Sequence, residues 1–349
     1  MRGEYKVPGG KLVAVDVEEA NGHLARVAVS GDFFLEPDEA LDAINRALIG
    51  QPTAASAEQL GQAISAALDD GVVMYGFTPA AVGIAVRRAL GRATSWDDHT
   101  FDLVPPVTMD PAMHVALDEV LTREVAQGVR PPTLRFWDWD RSLVVIGSFQ
   151  SYRNEIDPEG AARYGIDVIR RISGGGAMFM ETGNCITFSL HAPTSLVEGL
   201  SFEQSYAFLD DWVMTALADV GIKARYVPLN DIASDKGKIA GAAQKRLAAG
   251  AVLHHVTMAY DIDADKMLEV LRIGREKMSD KGHRSANKRV DPLRSQTGMP
   301  RDGIIASFMD SFRQTHNTVD AGYTQAELDE AAHLMETKFL TDEWRHRIP

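Results

Sequence analysis

The stretch Arg170-Arg-Ile-Ser-Gly-Gly-Gly-Ala-Met-Phe-Met-Glu-Thr-Gly-Asn-Cys-Ile-Thr-Phe-Ser-Leu190 joins two apolar runs through two arginines and three consecutive glycines. The first run ends at Ile169 and the second is 185–190, and both are typical of buried strands. Glycine has no Cβ, so a ligand can approach the backbone and successive N–H groups can converge on an anion. The glycines therefore predict a ligand-binding loop, although three glycines between strands also suit an ordinary turn.

A second polar cluster lies downstream of this loop. Asn230-Asp231 is followed by Lys238-Ile-Ala-Gly-Ala-Ala-Gln244. Lys238 could neutralise a phosphate or carboxylate oxygen in a transition state, or it could be a surface lysine near a turn. The Asn-Asp pair suits a magnesium or ribose site, but it is also a common turn dipeptide. Two Gly-spaced polar elements in one globular region favour a functional site.

Composition and charge set the broad class of protein. The chain has 349 residues, 45% hydrophobic and 24% charged, which suits a globular protein of two domains. No run approaches the roughly 18 apolar residues of a membrane span, and the N-terminus lacks a signal-peptide hydrophobic region, so we expect a cytoplasmic protein without membrane partners. The net charge of −13 argues against general nucleic-acid binding.

Two features of the composition have alternative interpretations. Cys185 is the one cysteine, which excludes an internal disulfide framework; it is either a small buried hydrophobe or a nucleophile. Basic residues collect in one segment, which is either a solvated loop or a surface for phosphates or an acidic partner. These residues are Lys277, Lys281, Arg284, Lys288, Arg289 and Arg294.

Turn and cap signals divide the chain into two regions. Residues 7–35 predict a strand meander in which Asn21-Gly22 marks a hairpin turn. The helices predicted after it are 38–48, 56–68 and 78–90. Together they make a small α+β module over 1–95, and the polar stretch that ends at Pro105-Pro106 predicts an interdomain linker over 96–108.

The second region mixes strands and helices. The predicted strands are 133–137, 143–146, 168–169, 185–190, 224–227, 230–232, 238–244 and 251–260. The predicted helices are 111–127, 155–164, 202–219, 267–271, 304–315 and 325–339, the last with a Thr324-x-x-Glu327 capping box. Residues 230–232 and 238–244 flank a turn and predict a hairpin. The fold class expected for the whole chain is α+β.

These motifs, in this order and spacing, resemble the lipoate-protein ligase family. The first matching segments are Arg171-x-Ser173-Gly174-Gly175-Gly176-Ala177, Gly183-Asn184, Asn230-Asp231 and Lys238-Ile239-Ala240-Gly241-x-Ala243-Gln244. Further matches lie upstream at Leu117-Asp118-Glu119, 132–137, Val145-Ile146-Gly147-x-Phe149-Gln150 and Asn154-Glu155. The resemblance implies a biotin/lipoate-ligase-like mixed-sheet catalytic domain over 109–349. Residues 1–95 resemble the small accessory domain of such ligases, here fused on the N-terminal side of the catalytic domain.

The resemblance also implies a two-step reaction. ATP and lipoate, with Mg²⁺, would give lipoyl-adenylate. The acyl group would then pass to a lysine of an acceptor, either a lipoyl domain of a 2-oxoacid dehydrogenase or the H protein of glycine cleavage. Lys238 would be the catalytic residue, and Asp231 would lie at the magnesium end of the nucleotide site. Arg284 and Lys288 would close over the adenylate and exclude water. The implied substrate- and cofactor-binding residues are Arg171, Ser173, Gly174, Gly175, Gly176, Ala177, Asn230, Asp231, Gly241 and Ala243.

Departures from the family pattern bear on specificity and on rival functions. Met180 and Glu181 stand where members often have His-Asp, so the choice between lipoate and octanoate stays open. An octanoyltransferase or amidotransferase with a cysteine thioester would place its cysteine shortly before the lysine segment, and none lies between Tyr226 and Lys238. A biotin ligase would carry a Gly-Arg-Gly-Arg type of adenylate loop, which this sequence lacks. A non-catalytic acyl-carrier-binding protein is a further alternative, disfavoured because the glycine and lysine motifs are intact.

Overall fold

The structure is a computed structural model that describes residues 1–91, 93–272 and 290–348. The chain divides into two compact units. The first comprises Met1–Asp98 and Thr194–Phe208, and the second comprises His99–Pro193 and Leu209–Pro349. Among the described helices, none is long and apolar enough to cross a lipid bilayer.

The first unit begins with an antiparallel three-stranded meander. Its strands are β1 Arg2–Lys6, β2 Leu12–Ala20 and β3 His23–Gly31. Asn21 and Gly22 between β2 and β3 have φ angles of 52° and 75°, the positive values that a tight hairpin turn of this type needs. The hairpin predicted from Asn-Gly is therefore confirmed.

Three helices form at the predicted positions, and two of them pack against the meander. The remaining elements of this unit are β4 Phe34–Glu36, α1 Ala40–Leu48, α2 Ala57–Ala67, β5 Val73–Tyr75 and α3 Pro79–Leu90. The Ser56 side chain accepts from Gln59 N at 3.2 Å and the Gln59 side chain accepts from Ser56 N at 2.9 Å, so the capping box of α2 forms. A Cβ on Gly3 would lie 2.2 Å from Ala85 O, so only glycine lets β1 lie this close to α3.

An eight-stranded mixed sheet is the centre of the second unit, counted over the described residues. Its strands are β6 Phe101–Met109, β7 Thr133–Trp139, β11 Cys185–Pro193, β12 Arg225–Val227, β13 Asp231–Ala233, β14 Lys238–Leu247, β15 Ala251–Ala259 and β16 Thr318–Asp320. Their order is β12-β13-β14-β15-β11-β7-β6-β16. β6 is parallel to β7 and β16, and the other neighbours are antiparallel. The predicted α+β class and the predicted β13–β14 hairpin are confirmed.

A second sheet carries the glycine-rich segment. It consists of β8 Leu143–Ile146, β9 Asp167–Arg170 and β10 Met178–Met180 in the order β10-β8-β9. Residues 171–177, which we call the glycine loop, connect β9 to β10 and so cross the end of β8. The sequence pattern predicted a direct connection from the loop to the run at 185–190, but β10 lies before that run. β10 was not predicted from the sequence.

The long helices of the rest of the chain lie where they were predicted, whereas the predicted helix 155–164 is two short helices and the helices 293–297 and 342–345 were not predicted. The helices are α4 Pro111–Gln127, α5 Tyr152–Glu155, α6 Pro158–Arg163, α7 Phe202–Asp219, α8 Ala264–Val270, α9 Leu293–Thr297, α10 Arg301–Thr315, α11 Gln325–Leu334 and α12 Asp342–Arg345. A π turn, Met335–Phe339, follows α11. Thr324 and Glu327 form the predicted capping box.

The segment predicted as a linker differs from the prediction. Residues 101–108 belong to β6 and pair with β7 and β16. Pro105 and Pro106 lack the N–H that a ladder needs, and the register with β7 shifts between Val104 and Val107. The strand accommodates the two prolines with an irregularity, and the interpretation of these prolines as the end of a linker was wrong.

Strand register places a polar row across one face of the large sheet. Ala243 lies opposite His255, His255 opposite Ser189, and Ser189 opposite Arg135. Residues directly opposite each other in paired strands share a face, so this row runs from β14 to β7. The next row, on the other face, has His254 and Leu190 opposite each other. The polar row marks the face on which the site is built.

Candidate functional site: the glycine loop and Lys238

Arg171 holds the glycine loop from inside. Its Nε donates to Ser173 Oγ at 2.9 Å, and its second guanidinium nitrogen donates to Gly174 O at 2.6 Å and Gly176 O at 2.9 Å. A further bond reaches Val145 O on β8 at 3.2 Å. Arg171 is only 3% exposed. Its guanidinium therefore supports the loop rather than facing solvent.

The carbonyls that Arg171 binds determine where the loop points its N–H groups. The Gly174 carbonyl shares a peptide plane with the Gly175 N–H, and the Gly176 carbonyl shares one with the Ala177 N–H. In a trans peptide the C=O and N–H point in opposite directions, so both N–H groups face away from Arg171. No hydrogen bond from either N–H is found within the described residues. The loop thus offers two backbone donors to an anion.

Close approaches explain why glycine is required on both sides of the loop. A Cβ on Gly147, at the end of β8, would lie 2.1 Å from Gly175 O. Gly175 has a φ of +91°, which side chains rarely adopt, and a Cβ there would lie 2.9 Å from the Arg171 guanidinium. Ala243 of β14 lies 3.5 Å from that same position. The loop therefore packs closely against the end of β8 and against β14.

Lys238 and Asp231 form an accessible ion pair on the β13–β14 hairpin. Lys238 Nζ lies 2.7 Å from Asp231 Oδ1, and the two side chains are 48% and 36% exposed. Asp231 lies opposite Gly241 in the ladder, and a Cβ on Gly241 would lie 2.9 Å from Lys238 Nζ. The absence of a side chain at Gly241 lets the lysine lie across β14. Three of the predicted site residues are thus brought together.

Asn230 has a different position. Its Nδ2 donates to Ala242 O at 2.6 Å, and its backbone oxygen accepts from Ala242 N at 2.9 Å. The amide group holds β14 in register beside Lys238. The predicted loop residues Arg284 and Lys288 lie outside the described residues. Arg294, from the same basic segment, pairs with Asp261.

The predicted magnesium ligand is a single carboxylate. Across the described parts of the chain, no group of three or more His, Cys, Asp or Glu residues could enclose a metal ion. Mg²⁺ commonly takes one or two protein carboxylates and fills its other positions with substrate phosphates and water. Asp231 fits that kind of site and does not fit an all-protein cage.

A buried network behind the loop was not predicted from the sequence. Ser173 Oγ lies 2.7 Å from His255 Nε2, and His255 Nδ1 lies 2.9 Å from Asp118 Oδ2. Asp118 belongs to α4 and His255 to β15. No Ser/His/Asp motif was recognised because these residues are far apart in the chain. The available signals were Asp118 in a matched helix segment and the two adjacent histidines, which must face opposite sides of a strand.

Arg135 extends the network and determines its protonation. It donates to Asp118 Oδ1 at 2.6 Å, to His114 Nδ1 at 3.1 Å and to His191 Nε2 at 3.4 Å. Because an arginine only donates, both imidazoles must accept and stay neutral. Burial, reinforced by the Arg135 charge, lowers the pKa of His114 and His191 to about 3. Burial alone would raise the pKa of Asp118, but Arg135 and His255 outweigh it and hold that pKa well below its usual range.

Cys185 lies in the core. It is 0% exposed and packs in the same cluster as Trp137 and Met180. Burial raises the pKa of its thiol to about 12, so almost no thiolate forms at neutral pH. The interpretation of Cys185 as a small buried hydrophobe is confirmed.

The two residues that depart from the family pattern, Met180 and Glu181, both contribute to packing and pairing within the fold. Met180 is fully buried in the core cluster. Glu181 pairs with Lys266 of α8, and its backbone N–H donates to Asn184 Oδ1 at 2.8 Å. Neither side chain lies among the groups that surround Lys238.

The fold and this site together define a family. Residues 110–316, more than half of the chain, match the Lipoyl protein ligase A/B catalytic domain. The chain belongs to this family, which confirms the resemblance drawn from the motifs. One relative is the octanoyltransferase LipM of Halalkalibacterium halodurans, which is 25% identical over 270 residues that make up 68% of this chain and 95% of the relative.

Solved structures of ligases share the fold. The bi-partite lipoate protein ligase of Thermoplasma acidophilum, studied with its E2 lipoyl domain, is 27% identical with a TM-score of 0.64, covering 71% of this chain and 97% of that chain. A lipoate-protein ligase A bound with ATP is 25% identical with a TM-score of 0.62, covering 71% and 98%. The mixed-sheet catalytic fold expected from the resemblance is therefore confirmed.

Proposed function

We propose that this protein is an ATP-dependent lipoate-protein ligase. It forms lipoyl-AMP and transfers the lipoyl group to a lysine of a lipoyl domain or of the glycine cleavage H protein. The burial of Cys185 carries this proposal. A thioester route needs a reactive cysteine, and Cys185 is fully buried with its thiol pKa raised to about 12. Lys238, by contrast, is half exposed on β14, the strand whose Ala243 lies against the glycine loop.

The first step joins the acyl acid to the nucleotide. A carboxylate oxygen of lipoate attacks the α-phosphorus of ATP, the new C–O–P linkage forms, and pyrophosphate leaves. Negative charge gathers on the α-phosphate oxygens, and the Lys238 ammonium group stabilises it as a point charge. The N–H groups of Gly175 and Ala177 donate to the anionic end of the bound acyl acid.

The second step transfers the acyl group. The ε-amine of the acceptor lysine attacks the carbonyl carbon of the mixed anhydride, an amide forms and AMP leaves. Lys238 again neutralises the leaving phosphate. The ATP-bound ligase and the ligase studied with its E2 lipoyl domain support these choices of nucleotide and acceptor.

Magnesium fits this scheme at Asp231. The carboxylate would bind Mg²⁺ together with phosphate oxygens, and the ion would neutralise part of the triphosphate charge. Asp231 would then exchange Lys238 for the ion, which frees the ammonium group for the α-phosphate. The roles of Arg284 and Lys288 as a closing segment, and of residues 1–95 as an accessory domain, are parts of the same proposal.

The alternative is octanoyl transfer without ATP. The LipM relative favours it. Such an activity in this chain could not use Cys185 as its acyl carrier without exposing a core residue. The two functions are therefore separable by their dependence on ATP and on the cysteine.

Pyrophosphate release from ATP, followed with acylation of an apo lipoyl domain, tests the proposal. We expect release that requires lipoate, and we expect Cys185→Ser to retain it. Transfer from an octanoyl carrier that needs no ATP and is abolished by Cys185→Ser would instead establish the transferase.

Lys238→Ala tests the catalytic role. We expect kcat for pyrophosphate release to fall about 10³-fold, the range seen when one preorganised charge-stabilising group is removed. Unfolding should be unchanged because the side chain is half exposed. Lys236→Ala, two residues earlier in the exposed turn, is the matched control and should behave as wild type. Equal turnover in the two variants would remove Lys238 from the mechanism.

A further inference from the structure

A continuous chain of buried hydrogen bonds connects α4, through β15, to the glycine loop. It passes from Asp118 to His255 at 2.9 Å, from His255 to Ser173 at 2.7 Å and from Ser173 to Arg171 at 2.9 Å. The four side chains are at most 4% exposed. Asp118 and His255 are closed to solvent, and this chain of bonds is their connection to the loop.

The direction of the hydrogen bonds follows from the protonation of His255. Arg171 can only donate, so Ser173 Oγ accepts from it, and when His255 is neutral the Ser173 O–H donates to His255 Nε2. His255 then carries its proton on Nδ1 and donates it to Asp118. Arg135 also only donates, and it holds the second oxygen of Asp118 at 2.6 Å. With a neutral His255 and an ionised Asp118, every group in the chain has its hydrogen-bond partner.

The charges fit this arrangement. Burial lowers the pKa of His255, which favours the neutral ring. The pKa of Asp118 is lowered despite its burial, because Arg135 and His255 stabilise the carboxylate.

We infer that Asp118 and His255 are positioning residues for the acyl-acid site. They orient the Ser173 hydroxyl as an acceptor for Arg171 Nε. Arg171 then keeps the carbonyls of Gly174 and Gly176 turned inward, and the opposite N–H groups stay turned toward the ligand. This inference rests on the proposed function for the identity of the ligand, but the positioning of Arg171 is independent of it.

The other face of β15 provides a matched control. His254 Nε2 lies 2.6 Å from Asp210 Oδ1, and both residues are at most 1% exposed. This pair has the same chemistry and burial, but it lies on the opposite side of the sheet from Ser173. Asp210→Asn therefore perturbs a buried histidine–aspartate pair without touching the glycine loop.

Steady-state kinetics of the full chain test the inference. We expect Asp118→Asn and Ser173→Ala to raise KM for lipoate by about 100-fold, the scale of a misplacement near 1 Å, with a much smaller change in kcat. Asp210→Asn should leave KM for lipoate unchanged. Ser173→Ala removes one hydroxyl only, so it keeps the test available if Asp118→Asn fails to fold. Equal KM values in Asp118→Asn and Asp210→Asn would overturn the inference, as would a wild-type KM in Ser173→Ala.

A spectroscopic readout separates this inference from the proposed function. The Arg171 Nε–H signal, assigned by its loss in Arg171→Lys, should exchange slowly with water in wild type and in Asp210→Asn. It should exchange at least about 10-fold faster in Ser173→Ala, because the buried acceptor is lost. Unchanged protection in Ser173→Ala would refute the positioning of Arg171. If the wild-type chain releases no pyrophosphate, the proposed function fails and these spectra alone decide the inference.

Discussion

The histidines of two histidine–aspartate pairs are neighbours on one strand, but the two pairs have different consequences. His255 faces the side of the sheet on which Ser189 and Arg135 lie in the same row. There it pairs with Asp118 of α4, and the chain of hydrogen bonds continues to the glycine loop. His254 and Asp210 lie on the other face, where His254 is opposite Leu190. Because adjacent strand residues face opposite sides, one dipeptide serves both faces. The first pair is the one whose face carries the glycine loop.

Burial and pairing alone therefore do not identify a functional group. Both pairs are buried and hydrogen-bonded. What distinguishes His255 is the next contact, Ser173, and the fixed donor Arg171 beyond it. A face of the sheet can therefore be assigned to stability or to the site by following its hydrogen bonds outward.

Acidification should give the largest loss of stability, and it acts through the two histidines that Arg135 binds. His114 and His191 have pKa values near 3 in the folded chain, below the roughly 6.5 of an unfolded histidine. The unfolded state therefore binds more protons as the pH falls, so the stability present above about pH 6.5 is lost progressively down to about pH 3. By pH 5 the loss is about 2 kcal/mol for each histidine.

Urea unfolding measured between pH 7 and pH 5 checks this sign and size. His191→Gln keeps an acceptor for Arg135 and a donor for Thr122 but does not titrate. Its stability should therefore fall less steeply with acid than that of wild type, by the share of one histidine. A variant slope equal to the wild-type slope would show that His191 titrates normally.

Asp210→Ala should lower the stability of the protein and leave its activity unchanged. Removing one partner of a buried hydrogen-bonded pair leaves the other unsatisfied, and we expect the free energy of unfolding to fall by about 3 kcal/mol. Turnover per folded molecule should be unchanged, because the pair lies on the face opposite the glycine loop. Asp219→Ala, on the exposed side of the same helix α7, should change neither quantity. A large loss of turnover in folded Asp210→Ala would break the division between the faces.

Much of the fold was predictable because its signals are local. The Asn21-Gly22 turn and the capping boxes at Ser56 and Thr324 each act over a few residues. β6 was missed because Pro105-Pro106 is typical of a chain break, and a strand with an irregular register is recognised only from its partners.

The site was predictable in part for the same reason. Lys238, Asp231 and Gly241 lie on one hairpin, so their proximity followed from the strand pattern. The network behind the loop joins residues 82 and 137 positions apart. No local pattern relates such positions, and the sheet register that brings them together exists only in the folded chain.

Gly241→Ala should give the smallest effect. It tests the difference between the two faces of the sheet with a change on the face that carries the glycine loop. The new Cβ would come within 2.9 Å of Lys238 Nζ and 3.6 Å of Asp231 Oδ1. A flexible lysine end can move away at little cost, so unfolding should be nearly unchanged. The ammonium group would, however, lie off its place across β14, and we expect kcat/KM for pyrophosphate release to fall about 10-fold. Gly241→Ala would then reduce activity with little change in stability, whereas Asp210→Ala would reduce stability with no change in activity. Wild-type turnover in Gly241→Ala would mean that the ligand repositions Lys238 on binding, so that its place in the free protein does not matter.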